Sequence, residues 1–113
     1  MFESNMYGIK EIDAAGLHSL LSEKKGIVLV DMRSENEIAY GMIEGAQHLP
    51  LHLLPIKADE INKDTNTIFY CRTGARSAQA CAFMAAKGNS NVYNLQGGIM
   101  AWMQSGLALA KVA

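Results

Sequence analysis

Short runs of β-branched and aromatic residues alternate along this chain with stretches of helical periodicity, and that alternation limits the folds open to it. Ile27 to Val30 is an unbroken apolar run ending at Asp31. Such a run suits an interior strand covered on both faces. Thr67 to Tyr70 and Val92 to Leu95 are further β-prone runs. Tyr7 to Ile12 and Gly45 to Leu49 are weaker candidates, the second stopped by Pro50. Strands separated by helical patterns predict an α/β chain with a parallel sheet and helices on both faces. In such sheets ligands sit at the carboxyl ends of strands, where both Asp31 and Cys71 fall.

The helices carry their own punctuation. Asp13 is placed to cap a helix whose stripe is Leu17, Leu20 and Leu21. Lys24 and Lys25 suit its negative end, and Gly26 suits an exit at positive φ. Ser34 and Glu37 have capping-box spacing at the start of a short helix that Gly41 ends. Leu53 to Ile61 is weakly helical. Arg76 to Lys87 reads as a good helix with a stripe of Ala78, Cys81, Ala82 and Ala85, closed by Gly88. Gly97 and Gly98 turn into a short helix that contains Trp102.

With 113 residues, 50% hydrophobic and 19% charged, the chain is expected to form one globular domain over residues 1–113, its core spanning about 7–106. A net charge of -1 gives no reason to expect nucleic acid or an anionic membrane as partner. No apolar run approaches the ~18 residues of a membrane span. The opening residues include Glu3 and lack the apolar stretch of a secretory signal, so a cytoplasmic protein, monomeric or weakly dimeric, is expected. Cys71 and Cys81 make neither a disulfide framework nor a C-x-x-C pair, and a reducing compartment keeps both as thiols. Cys81, on the apolar stripe, reads as core. His48 and His52 are separated by Pro50, which argues against a shared metal site, and no nucleotide-binding glycine loop is present. No metal and no cofactor are expected. The seven methionines read as gap-fillers of the core.

Chemistry concentrates in Cys71-Arg72-Thr73-Gly74-Ala75-Arg76-Ser77. A strand delivers a cysteine, a short loop follows, and a helix begins. Loop amides can form an anion-binding nest. The helix start contributes the positive end of its dipole. Arg72 and Arg76 are fixed cations. All three favour thiolate over thiol at Cys71. Gly74 lets the loop curl closely around one atom. Ser77 can cap the helix or donate to a bound anion. Asp31, Arg33 and Glu37 read as a fold-holding ion pair or cap network.

The Cys71–Arg76 segment resembles the C-R-x-G-x-[R/T] loop of the rhodaneses, the thiosulfate sulfurtransferases. Val30-Asp31-Met32-Arg33 followed by Glu37 is similar to that family's V-D-x-R-x-x-x-E segment. Gly41 to Pro50 is similar to its G-H-I-x-G-A-x-N-[IL]-P segment, with Met42 in the place of histidine and His48 in the place of asparagine. Leu95 to Trp102 is similar to its L-x-G-G-x-x-x-W segment. The resemblance implies a three-layer α/β/α domain with a central, mostly parallel five-stranded sheet. It implies a Cys71 persulfide formed from thiosulfate or a related donor. A thiol or cyanide then takes the sulfur. Arg72, Thr73, Gly74, Ala75, Arg76 and Ser77 form the substrate loop, with Arg72 on the sulfonate end and Arg76 adding field at the helix start.

Two rival functions use the same residues. A persulfide carrier would hand its sulfur to a sulfur-relay protein. A phosphatase or arsenate reductase would use C-x5-R, whereas Cys71 and Arg76 are spaced C-x4-R, a loop suited to a sulfur atom and too small for phosphate.

Overall fold

The computed structural model describes residues 3–4 and 8–112. Its elements are β1 (Glu3–Ser4), β2 (Lys10–Ile12), α1 (Ala14–Ser22), β3 (Ile27–Asp31), α2 (Glu35–Ile38), β4 (Gln47–His48), α3 (Leu54–Lys57), β5 (Asn66–Tyr70), α4 (Ala75–Ala86), β6 (Val92–Leu95) and α5 (Gly98–Gln104). Single 3-10 turns at Leu51–Leu53 and Ala58–Glu60 flank α3. The sheet order is β1-β2-β6-β5-β3-β4. Strands β2, β6, β5, β3 and β4 are parallel, and β1 adds an antiparallel edge to β2. The expected five-stranded parallel sheet is present, with this one extra strand.

Alternation along the strands makes two cores, one on each face. Leu29, Ile68, Tyr70, Tyr93 and Leu95 face α1 and α5, packing with Leu17, Leu20, Ile99 and Trp102. Val30, Phe69 and Val92 face the other way, packing with Leu54, Ala80, Cys81 and Met84 from α3 and α4. Each face is covered by helices, so the unbroken apolar run of β3 has its physical reason. The chain leaves β3 towards β4 on one side and leaves β5 towards β6 on the other. The carboxyl ends of β3 and β5 therefore border a topological switch point, the place where α/β sheets open a crevice. Asp31 and Tyr70 pair in register there, and Cys71 is the next residue.

Several local expectations are corrected. The first parallel strand is Lys10–Ile12, and Tyr7 lies outside the described residues. The exit of α1 is at Lys24, φ 54°, and not at Gly26. The helix stops earlier than the lysine pair suggests: the Lys25 amide donates to Leu20 and the Lys24 amide to Leu21, a Schellman closure that puts Lys24 in the left-handed position. The buried face of α4 is Ser77, Ala80, Cys81 and Met84, while Ala82 and Ala85 are exposed. Alanine marks a helix face weakly. The long Met84 and the hydroxyl of Ser77, which has partners underneath, set the rotation instead. Of the methionines, Met32 and Met84 are buried, but Met103 is exposed.

Candidate active site

The loop after β5 folds around the sulfur of Cys71. Gly74 adopts φ +105° as the residue before α4, a left-handed turn that bends the backbone back on itself. Its amide donates to Cys71 Sγ at 3.1 Å. The amides of Arg76 and Ser77 also point at the sulfur, and the Ser77 hydroxyl lies 3.4 Å from it. Burial pushes the thiol up, but the Ser77 hydroxyl and these three amides outweigh it and hold Cys71 below its ordinary value. The residue is 1% exposed, so the sulfur sits at the floor of the loop. By contrast, burial pushes the Cys81 thiol up to about 12, as its place in the apolar core requires.

The floor is held from below by α5. The amides of Ile99 and Met100 donate to the carbonyls of Cys71 and Arg72, at 2.9 and 3.1 Å. The Ile99 and Met100 amides, which have no acceptor within the first turn of α5, thus find theirs in the cysteine loop. Gly97 and Gly98, read from the sequence only as turn residues, allow this approach.

The two arginines differ in their surroundings. Arg72 is exposed, and among the described residues its guanidinium has no hydrogen-bond or ionic partner. Arg76 does not aim at the sulfur. Its Nη1 and Nη2 hold Glu37 Oε1 and Oε2 at 2.6 and 2.8 Å, a two-pronged pair across to α2. Much of the Arg76 charge is thereby spent on Glu37, and the hydrogen bonds lead in stabilising the thiolate. Thr73 and Ala75 are exposed, on the loop rim. Ser77 is not a helix cap; it is fully buried beneath the sulfur.

Asp31 and Arg33 form an ion pair, and Glu37 closes the capping box of α2. Asp31, 0% exposed, takes the Arg33 amide at 2.9 Å, Nε at 3.0 Å and Nη2 at 2.8 Å. Burial, and then Asp31, push the Tyr70 hydroxyl up, and that hydroxyl accepts the Ile43 amide at 3.0 Å. This cluster ties the ends of β3 and β5 to the following segment. Arg33 also donates to the carbonyls of Gly41 and Glu37, and the Glu37 carboxylate serves the Ser34 capping box and Arg76. His48 Nε2 donates to the Arg33 carbonyl at 2.7 Å, so this departure from the family pattern braces the same segment.

The hydrogen bond from Arg76 draws Glu37 down from 4.5 to about 2, against its burial and with help from the amide and hydroxyl of Ser34. The folded carboxyl titrates below the unfolded one. Its stabilisation is therefore complete above pH 4.5 and is lost as pH falls from there through about 2. The Arg76 side chain is 36% exposed, so solvent screening limits the pair to about 1 kcal/mol. In urea unfolding, Glu37→Gln is expected to be less stable by that amount near neutral pH, with the gap closing towards pH 2. A gap that does not depend on pH would remove the ion pair as its cause.

The larger cavities lie elsewhere. One of about 420 Å³ is lined by His18, Ile43, Glu44 and Trp102, and another of about 400 Å³ by Ala58, Asp59, Lys63 and Asn89. Neither touches Cys71.

A rhodanese-like domain model matches residues 13–105. A sulfurtransferase of Allochromatium vinosum is 48% identical over 101 residues, which cover 89% of this chain and 94% of that protein. The thiosulfate sulfurtransferase GlpE of Pseudomonas putida is 35% identical over 82 residues, covering 73% of this chain and 74% of its own. A solved structure from Rhodopseudomonas palustris, a protein of unknown function described as a possible tyrosine phosphatase, superposes with a TM-score of 0.84 at 27% identity, covering 92% and 86% of the two chains.

Proposed function

The chain belongs to the rhodanese-like domain family, and from that premise we propose that it is a thiosulfate sulfurtransferase working through a persulfide on Cys71. Sulfur transfer is the activity named for its relatives. The observation that carries the finer reading is the set of donors converging on one sulfur: the Gly74 amide at 3.1 Å, the amides of Arg76 and Ser77, and the Ser77 hydroxyl.

Cys71 thiolate attacks the outer sulfur of thiosulfate. The sulfur–sulfur bond of thiosulfate breaks, and sulfite departs with the electron pair. Cys71 is left bonded to a terminal sulfur that bears the negative charge. A thiolate or cyanide attacks that terminal sulfur and expels Cys71 as thiolate. The transfer is split into two easier displacements. Loop amides fixed in advance around the anion act as an oxyanion hole does for oxygen. The unpaired guanidinium of Arg72, beside the cysteine, suits the sulfonate end of the donor.

The buried floor favours a narrow donor such as the outer sulfur of thiosulfate. A phosphatase reading meets an obstacle in Arg76, because the arginine that would clamp a phosphate is held by Glu37. A carrier that passes sulfur to a relay protein needs the same cysteine, and kinetics separate the two: rapid turnover with thiosulfate and a small thiol supports the enzyme.

Thiosulfate treatment followed by peptide mass spectrometry should add one sulfur to the Cys71 peptide. An unmodified peptide, or clear phosphoester turnover, would overturn the proposal. Arg72→Ala is expected to raise KM for thiosulfate about tenfold, the loss of one charged contact at an exposed site. With glutathione persulfide, which lacks a sulfonate, the same variant should change little. Equal losses with both donors would remove Arg72 from sulfonate binding.

A further inference from the structure

Beneath the sulfur, Ser77 continues into a buried chain of polar groups, and the two displacements assign no part to its next member, Asn94. Ser77 is 0% and Asn94 2% exposed. Asn94 stands in β6, an otherwise apolar strand, on the face turned towards α4. Its Nδ2 donates to the Gly74 carbonyl at 3.2 Å and to Glu11 Oε2, on β2, at 3.0 Å. A carbonyl and a carboxylate only accept, so the amide orientation is fixed with nitrogen on that side. The Asn94 oxygen then faces Ser77 and accepts the Ser77 hydroxyl in a short hydrogen bond.

A hydroxyl has one proton to give. Ser77 Oγ lies within reach of three acceptors: Asn94 Oδ1, Cys71 Sγ at 3.4 Å and the Gly74 carbonyl at 3.3 Å. Asn94 Oδ1 is the nearest of them. When the sulfur is a neutral thiol, its S–H can donate to Ser77 Oγ while Ser77 donates to Asn94. When the sulfur is an anion, a charged acceptor competes with a neutral amide oxygen and is favoured. The Asn94 oxygen is then left buried without that donor, which costs free energy and draws the proton back once the sulfur is neutral again.

We propose that Asn94 is a positioning residue that holds the Ser77 proton while the Cys71 sulfur is neutral and releases it to the sulfur when that sulfur becomes an anion. Applied to the persulfide cycle, on whose assignment this last step rests, the hydroxyl turns towards Sγ in the free thiolate. It returns to Asn94 once Sγ is bonded to the transferred sulfur, and turns again as Cys71 is expelled. No bond to hydrogen breaks in these turns; the hydroxyl rotates about its own carbon–oxygen bond.

Two roles are distinguishable by sign. If Asn94 were only scaffolding for Ser77, removing it would let Ser77 drift and weaken the thiolate. If Asn94 competes for the proton, removing it leaves Ser77 free to serve the sulfur in both states and strengthens the thiolate. The other charged groups facing this region are Arg72 on the loop, Arg76 on α4 with Glu37 of α2, Asp31 at the end of β3, and Glu11 on β2. All of them remain in the variants.

The test is the rate of iodoacetamide alkylation of Cys71 against pH, which needs no sulfur donor. Cys81, titrating at about 12, stays silent. Below the midpoint of the profile, Asn94→Leu should react roughly 3- to 10-fold faster than the native protein, and Ser77→Ala roughly 3- to 10-fold slower, each the size of one buried hydrogen bond. The double variant should match Ser77→Ala alone, because the effect runs through the Ser77 proton and not through the Asn94 bonds to the Gly74 carbonyl and Glu11, which the double variant also lacks. Asn94→Val, which suits a strand, gives the same reading if the leucine variant does not fold. In the native protein, the side-chain amide resonance of Asn94 should titrate together with Cys71. Slower alkylation in the Asn94 variants, an effect that persists without Ser77, or an amide resonance indifferent to Cys71 would each overturn the proposal. A protein that transferred no sulfur from thiosulfate would still return this result, so the two failures are separable.

Discussion

Cys71→Ser should abolish sulfur transfer, lowering turnover by at least about a thousandfold, while leaving the protein folded. The large loss follows from what a nucleophile of this kind must do twice. It must exist as an anion near neutral pH, and it must be a good leaving group from the sulfur it has accepted. Serine fails at both, since its hydroxyl loses a proton far less readily than a thiol. The amide nest would still surround the oxygen, but it would surround a neutral hydroxyl. Folding should survive because serine fits the volume of cysteine and the Gly74 amide still meets an acceptor. Cys81 cannot substitute, buried as it is in the core between α4 and the sheet with its thiol pushed up to about 12. The assay is thiosulfate consumption with cyanide or a small thiol, run beside a thermal melt and a mass measurement. Activity within tenfold of the native protein, or a persulfide appearing elsewhere on the chain, would remove Cys71 from the reaction.

The ease with which the sequence reveals this cysteine comes from its covalent neighbourhood. Strand, cysteine, glycine-containing loop and helix are contiguous, so local rules place the sulfur at a strand end inside a ring of amides. The three central strands β3, β5 and β6 are equally legible, because burial on two faces writes itself as Ile27–Val30, Thr67–Tyr70 and Val92–Leu95. What local rules cannot supply is partner choice across the fold. Arg76 and Glu37 are 39 residues apart and meet only because α2 and α4 both begin at the same end of the sheet. From the sequence, Glu37 reads with Asp31 and Arg33 as an ion pair or cap network, and Arg76 as a cation at the helix start that adds field to the loop. The consequence is physical: with Arg76 neutralised, the anion is held chiefly by directed hydrogen bonds. Asn94 was hidden in another way. A polar residue inside a buried apolar strand is a signal, but its meaning depends on Ser77 lying above it, and that in turn depends on the rotation of α4. The alanines of α4 leave that rotation undetermined.

The other large effect is expected at Gly98→Ala, outside the cysteine loop by sequence. Gly98 opens α5 at φ +61°, a left-handed conformation that costs an alanine about 1–2 kcal/mol by itself. More serious is where the new methyl would sit. It would lie 2.6 Å from the Cys71 carbonyl oxygen and closer still to that of Arg72. Those are the two carbonyls that receive the Ile99 and Met100 amides, so the obstruction is backbone against backbone. A flexible side chain would swing aside; here the loop and α5 must separate, which strains or breaks both hydrogen bonds. We expect a stability loss of about 2–4 kcal/mol in urea unfolding, combining strain and overpacking. Activity should fall by about a hundredfold or more, the scale of displacing a reacting group by about 1 Å. Gly45→Ala is the control. Its φ is +87° but nothing lies within 4 Å of the added carbon, so it carries the left-handed strain without the collision. Gly45→Ala should lose about 1 kcal/mol and keep its activity. If Gly98→Ala proved no worse than this control in stability and in Cys71 alkylation, the start of α5 would not be what fixes the floor of the sulfur site.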